Sequence, residues 1–214
     1  MYLTGERDRA QTEEALWIAH TLFARNKVSG STGNISFKIE DIVYISCSGS
    51  CFATLKENDF VKFEIQKNGD FLACTDKKAS KEAPLHLTLY RNNPELNAVI
   101  HTHSFYATLW SCLKHQNPDD VVPRYTPYLE MKLGRVKEVP YAEPGSQKLF
   151  QCFEERVGTE EAYLLKNHGP VVGGRSLMDA FYRLEELEES VKIAWYLRGE
   201  PEDCIQKIPH LVKS

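Results

Sequence analysis

Ile35, Phe37 and Ile39 alternate with polar neighbours, and only two residues later the apolar run Ile42-Val-Tyr-Ile45 begins. A period of two puts alternate side chains on one face of a strand. Two such runs joined by so short a connection read as a β-hairpin. A chain that starts this way must build a sheet that is at least partly antiparallel. Val61, Phe63 and Ile65 repeat the alternation, and Asn68-Gly69 after them is a strong hairpin turn.

Helical signals are interleaved with these strands. Ala15, Leu16, Ile18, Ala19, Leu22 and Phe23 form an apolar stripe near the start. Ala83 to Arg91 reads as a helix with Pro84 tolerated in its first turn, Ala107 to Leu113 as a second and Gln147 to Val157 as a third. Asn97 to Thr102 is a short apolar run ending in histidine and reads as a strand, as does Tyr163 to Leu165. The longest helix spans Leu177 to Leu197, with Ser176 and Asp179 resembling a capping box. Its acidic run, Glu185, Glu186, Glu188 and Glu189, reads as a solvated face. Interleaving of this kind gives an α/β layered domain. No repeat, low-complexity tract or linker divides it, so residues 1–214 read as one unit.

Charge and composition exclude several functions. The net charge is −4, from 26 Lys+Arg against 30 Asp+Glu, and no run of basic residues offers a nucleic acid the positive stripe it needs. No segment approaches the roughly 20 apolar residues of a membrane span. Met1 to Ala10 is charged and lacks the apolar core of a secretory leader, so the cytoplasm is the default compartment. The six cysteines (Cys47, Cys51, Cys74, Cys112, Cys152, Cys204) show no CxxC spacing. They read as reduced, mostly buried thiols. Ser48-Gly49-Ser50 between Cys47 and Cys51 reads as a turn, without the second pair a zinc site would need.

The sharpest local feature is Ile100-His101-Thr102-His103. At a strand end, residues two apart face the same way, so His101 and His103 can share one cation. Such pairs also occur by accident on surfaces. Asn167-His168-Gly169-Pro170 supplies a third histidine in a turn after an apolar strand, and catalytic zinc commonly takes three protein ligands and leaves a position open. Glu82 sits at the start of a helix, where the N-terminus stabilises a carboxylate; the bland alternative is an ordinary first-turn glutamate. His86, one helical turn on, could back the ligands, and His20, His115 and His210 read as surface or packing residues. Three small-residue turns, Gly30 to Ser36, Ser46 to Ser50 and Ala79 to Lys81, offer N–H groups, hydroxyls and an ammonium that could cradle a phosphate if they converge.

Taken in order, STGNIS, SCSGS, ASKE, LHLTLYRNNPELNAVIHTHS and LLKNHGPVVGG resemble the class II aldolase/adducin-head family, from about Glu13 to Gly199. The resemblance implies a three-layer α/β/α sandwich around a mostly antiparallel sheet and a homotetramer with sites at subunit interfaces. It also implies a divalent cation on His101, His103 and His168; the ligand type allows zinc as first choice, with manganese or cobalt as alternatives. Glu82 would be the acid/base and an occasional ligand. Gly33, Asn34, Ser48, Gly49 and Ser80 would hold a substrate phosphate, and Tyr128 would reach a neighbouring subunit's site.

Within the family, SKE, LYRNNPE, TPYLEMKLGRVKEVPYAEPGS and RLEELEESVKIAW resemble the 3-oxo-tetronate 4-phosphate decarboxylase branch. That branch implies a small phosphorylated acid-sugar substrate, cleaved to CO2 and dihydroxyacetone phosphate through an enediolate held by the metal. Lys81 departs from the sugar aldolases and would meet an extra anionic group, although a surface lysine is its plainer reading. Sugar-phosphate aldolase or pentulose-phosphate 4-epimerase activity is the alternative; the epimerases carry aspartate where this chain has Glu82. A non-catalytic adducin-head module is a further alternative, opposed by the retained histidines. A metal-dependent hydrolase would leave the phosphate-type turns unexplained.

Overall fold

The structure is a computed structural model and describes residues 6–209. His210 and the first residues of the segment read for a leader lie outside the described residues. Eight strands form one sheet: β1 (Asn34–Ile39), β2 (Ile42–Ser46), β3 (Phe60–Ile65), β4 (Phe71–Ala73), β5 (Ala98–His101), β6 (Val136–Val139), β7 (Ala162–Leu165) and β8 (Gly169–Gly174). Their order is β4-β3-β2-β1-β5-β8-β7-β6. Every pairing is antiparallel except β6 with β7.

Alternation along the strands sends side chains to two cores. Ile35, Phe37, Ile39, Ala98 and Ile100 pack with α1 (Glu6–Ala24), α3 (Phe105–Ser111), α4 (Pro127–Lys132) and α6 (Leu177–Leu197). Val43, Ile45, Val99, Tyr163 and Val171 pack with α2 (Ala83–Asn92) and α5 (Gln147–Arg156) on the other face. The result is the expected three-layer α/β/α sandwich. Core side chains such as Ile18, Phe37, Leu85 and Phe153 are completely buried, each worth about 1.5–3 kcal/mol against exposure. No helix among the described residues is long and apolar enough to cross a membrane.

Several elements depart from the reading of the sequence. Gly169 and Pro170, read as part of a turn with Asn167 and His168, instead open a fully buried central strand, Gly169–Gly174. Its glycines answer to neighbours: a Cβ on Gly174 would lie 2.3 Å from the Ala180 backbone nitrogen. Strand β6 and helix α4 were not anticipated, being short segments without a clear period. The acidic run on α6 is not wholly solvated. Glu188 is 1% exposed and accepts from Tyr106 N at 3.0 Å and Ala107 N at 2.9 Å. It thereby satisfies the first turn of α3, with Lys27 Nζ 3.7 Å away. The thiols are unpaired but not mostly buried: only Cys152 is buried, and Cys74, Cys112 and Cys204 are exposed. Cysteine count carries no information on which side of an element each thiol falls.

Candidate metal centre and active site

Three elements bring the site histidines together. Strand β5 ends on His101, and His103 follows two residues later. The turn between β7 and β8 carries His168. Strands β5 and β8 are antiparallel neighbours, with His101 opposite Val171, so the end of one meets the start of the other. Gly169 permits the approach: a Cβ there would sit 2.4 Å from the Thr102 carbonyl oxygen. The end of α3 fixes the His168 turn. His168 N donates to Ser111 Oγ at 3.2 Å, Asn167 N donates to Ser111 O at 3.1 Å, and Thr108 Oγ1 donates to His168 O at 3.2 Å.

The three imidazole centroids lie 4.8–5.1 Å apart, and their candidate ligand atoms fall within 4.8 Å of one another. His101 Nδ1–H donates to the Pro170 carbonyl at 2.8 Å, which leaves Nε2 as the ligand atom. The Nε2 atoms of all three histidines and Glu82 Oε1 are buried without a hydrogen-bond partner. Glu82 Oε2 is 3.2 Å from His101 Nε2, and Glu82 Oε1 is 3.3 Å from His168 Nε2. A carboxylate and a ring lone pair repel at such a distance unless positive charge lies between them. The donor set therefore fits a divalent cation held by three neutral imidazoles.

The cluster also shifts the protonation of its own members. Burial would raise the Glu82 carboxyl, but His101, His168 and the Asn34 hydrogen bond outweigh it and hold it well below the usual carboxylate range. Burial first, and then the His101 charge, push His168 down to about 3 and His103 to about 4. Those two rings are neutral at pH 7, the form that ligates.

A cavity of about 360 Å³ opens over this cluster, large enough for a small ligand. Gly33, Asn34, Ser48, Gly49, Ser80, Lys81, Glu82, His103 and His168 all line it. The three small-residue turns thus converge on the histidines from one side. His101 lies completely buried beneath. The Asn34 carboxamide is committed elsewhere, donating from Nδ2 to Glu82 Oε2 at 3.2 Å. Tyr128 is absent from the lining and stands 58% exposed on α4. Two lining residues, Pro144 and Gly145, were not singled out from the sequence. Gly145 has φ +74°, and a Cβ there would lie 3.2 Å from Lys81 Cβ. The turn therefore abuts the lysine stem; a Pro-Gly pair is in general a turn signal, but nothing in the sequence places this turn at Lys81.

The remaining histidines are dispersed. His20 contacts the Leu55 carbonyl at 3.1 Å, and His115 pairs with Glu138 at 2.5 Å while stacking on Trp110. His86 is completely buried behind Glu82.

Comparison with known proteins places this geometry. The 3-oxo-tetronate 4-phosphate decarboxylase of Escherichia coli is 38% identical over 195 residues, covering 91% of this chain and 90% of that protein. The L-fuculose phosphate aldolase of Methanococcus vannielii is 36% identical, covering 85% of this chain and 93% of that protein. Among solved structures, YgbL from Escherichia coli superposes with a TM-score of 0.86 at 36% identity, covering 95% of this chain and 96% of that one. The family model described as Class II Aldolase and Adducin N-terminal domain matches residues 13–195. The chain belongs to the class II aldolase and adducin N-terminal domain family.

Proposed function

We propose that this chain is a metal-dependent carbon–carbon lyase that decarboxylates a 3-oxo-tetronate 4-phosphate to dihydroxyacetone phosphate and CO2. The observation that carries the reading is one cavity lined by the His103/His168/Glu82 cluster, the three small-residue turns and Lys81 together. A substrate with a phosphate at one end and a carboxylate at the other matches that distribution of charge. Decarboxylase relatives at up to 38% identity support it.

Each residue then has a role. The Gly33, Ser48, Gly49 and Ser80 turns hold the phosphate, with Asn34 at their edge, and anchor the reacting carbon in place. The Lys81 ammonium holds the carboxylate until it leaves. His101, His103 and His168 hold the cation, with Glu82 within reach of it. That cation, zinc in first choice with manganese or cobalt as alternatives, supplies Lewis-acid stabilisation of charge developing on the carbonyl oxygen. Loss of CO2 breaks the C1–C2 bond and leaves its electron pair on C2. Glu82 rests ionised, so it takes up a proton from solvent water as that charge develops and passes it to C2; the net step consumes one solvent proton and yields the neutral hydroxymethyl group of the product. Proton transfer of this kind contributes about 10²–10⁴-fold.

The chain acts in the cytoplasm as a homotetramer, with Tyr128 of one copy reaching the site of another. The exposure of Tyr128 and Met131 on α4 supports that role for this face. A sugar-phosphate aldolase is the second reading, favoured by the Methanococcus vannielii relative. The test is incubation with 3-oxo acid phosphates, measuring CO2 and dihydroxyacetone phosphate together. Equal yields of both establish the decarboxylase; dihydroxyacetone phosphate plus an aldehyde from a sugar phosphate, without CO2, establishes the aldolase.

A further inference from the structure

Behind Glu82 and Asn34 a buried polar ladder continues into Ser36, His86 and Tyr90, which the proposed chemistry does not use. Strand β1 contributes Asn34 and Ser36, two residues apart on the face toward α2. The helix contributes Glu82 at its N-cap, then His86 and Tyr90, spaced four apart. Two strand residues advance about 6.6 Å and four helical residues about 6 Å, so the two rows stay in step. Asn34 Nδ2 donates to Glu82 Oε2 at 3.2 Å. His86 Nε2 lies 2.5 Å from Asn34 Oδ1, and His86 Nδ1 lies 2.7 Å from Ser36 Oγ. Ser36 Oγ lies 2.8 Å from Tyr90 OH.

The carboxylate at one end sets the direction of every bond. Glu82 can only accept, so Asn34 must present its NH2 group and turn its carbonyl to His86. The carbonyl can only accept, so His86 must carry its proton on Nε2. Burial, and then the His101 charge, push His86 down to about 3, so the ring is neutral and Nδ1 is a bare acceptor. Ser36 donates to it and accepts from Tyr90. Each donor meets an acceptor, and none of the polar atoms named is orphaned by the arrangement. Without His86 the buried Asn34 carbonyl would lose its donor, and the carboxamide would be held by its bond to Glu82 alone.

We propose that His86 is a positioning residue: its Nε2–H locks the Asn34 carboxamide so that the amide, rather than the carbonyl, faces Glu82 and aims that carboxylate at the cavity. This deepens the reading of Glu82 as the proton-transfer group and rests on it. Loss of such a supporting partner typically costs about 10–100-fold in activity.

The first test needs no substrate. Long-range proton–nitrogen correlation spectra of the metal-loaded, ¹⁵N-histidine-labelled protein should show one neutral ring protonated at Nε2 that disappears in His86→Gln. If the ring whose signals are lost in His86→Gln is instead protonated at Nδ1, or on both nitrogens, the proposal is overturned. The second test compares turnover of whichever substrate the CO2 and aldehyde assays identify. His86→Leu should lower kcat about 10–100-fold with KM changed less than about threefold, and His86→Gln, which keeps an N–H near Nε2, should recover most of the loss. Equal turnover in both variants and the parent overturns it, as does equal loss in both. Should neither substrate class turn over, the proposed function fails while the tautomer measurement still decides the positioning.

Discussion

His101 Nδ1–H donates to the Pro170 carbonyl at 2.8 Å across the β5–β8 pairing. One hydrogen bond thus ties a site histidine to the neighbouring strand, chooses its tautomer and leaves Nε2 for the cluster. Pro170 has no amide proton, but its carbonyl is the part the site uses.

Removing one imidazole should remove most of the metal. His103→Ala is expected to lower metal affinity by more than the about 10–100-fold that loss of a merely supporting partner costs. Elemental analysis of the purified variant beside the parent checks this; unchanged stoichiometry would count against the three-histidine centre.

Glu82→Gln keeps the shape of the side chain and its place beside Asn34 but loses the proton-carrying carboxylate. The metal should stay at parental stoichiometry while turnover drops about 10²–10⁴-fold. Near-parental CO2 release would take Glu82 out of the chemistry.

Lys81 distinguishes an acidic substrate from a neutral one. Lys81→Met should cost an acid phosphate about 1.5–3 kcal/mol of binding, the range for a hydrogen bond to a charged group, and cost a neutral sugar phosphate far less. Paired KM measurements on the two substrate classes test it, and equal losses would remove Lys81 from substrate selection.

Buried neutral histidines make the metal-free protein acid-sensitive. His86 and His168 lie near 3 and His103 near 4, all below the ordinary value of 6.5. Between those values and 6.5 the unfolded chain binds more protons than the folded one, so stability rises with pH. Their contribution is complete above about pH 6.5 and is lost as pH falls toward 4 for His103 and toward 3 for His86 and His168, with each group contributing up to about 1.4 kcal/mol per pH unit inside its window. Denaturant midpoints of the metal-free protein at pH 7 and pH 5 give the sign, and a higher midpoint at pH 5 would refute it.

Gly169→Ala places a methyl where the Thr102 carbonyl oxygen is only 2.4 Å away. The β5 end must move, at a cost of about 1–3 kcal/mol, and His101 and His103 move with it. Lower Tm together with lower metal content is expected; lower Tm with full metal content would show that the contact serves the fold alone.

Much of this was legible in the sequence because it depends on local period and composition. Alternation at Ile35, Phe37 and Ile39 specified the β1–β2 hairpin, and the apolar stripe from Leu177 specified α6. Ordered motifs marked the residues that meet in the cavity. Other features arise only when distant segments pack. Gly169–Gly174 forms a strand because β5 and β7 supply hydrogen bonds on both sides and because Leu96 and Ala180 fill the space its missing side chains leave. Glu188 is buried because the unsatisfied amides of α3 lie against α6. The commitment of the Asn34 carboxamide to Glu82 and His86, and the meeting of Gly145 with Lys81, follow from the same cause. A sequence states which donors and acceptors a chain owns; only the packed sheet and helices decide which of them become neighbours.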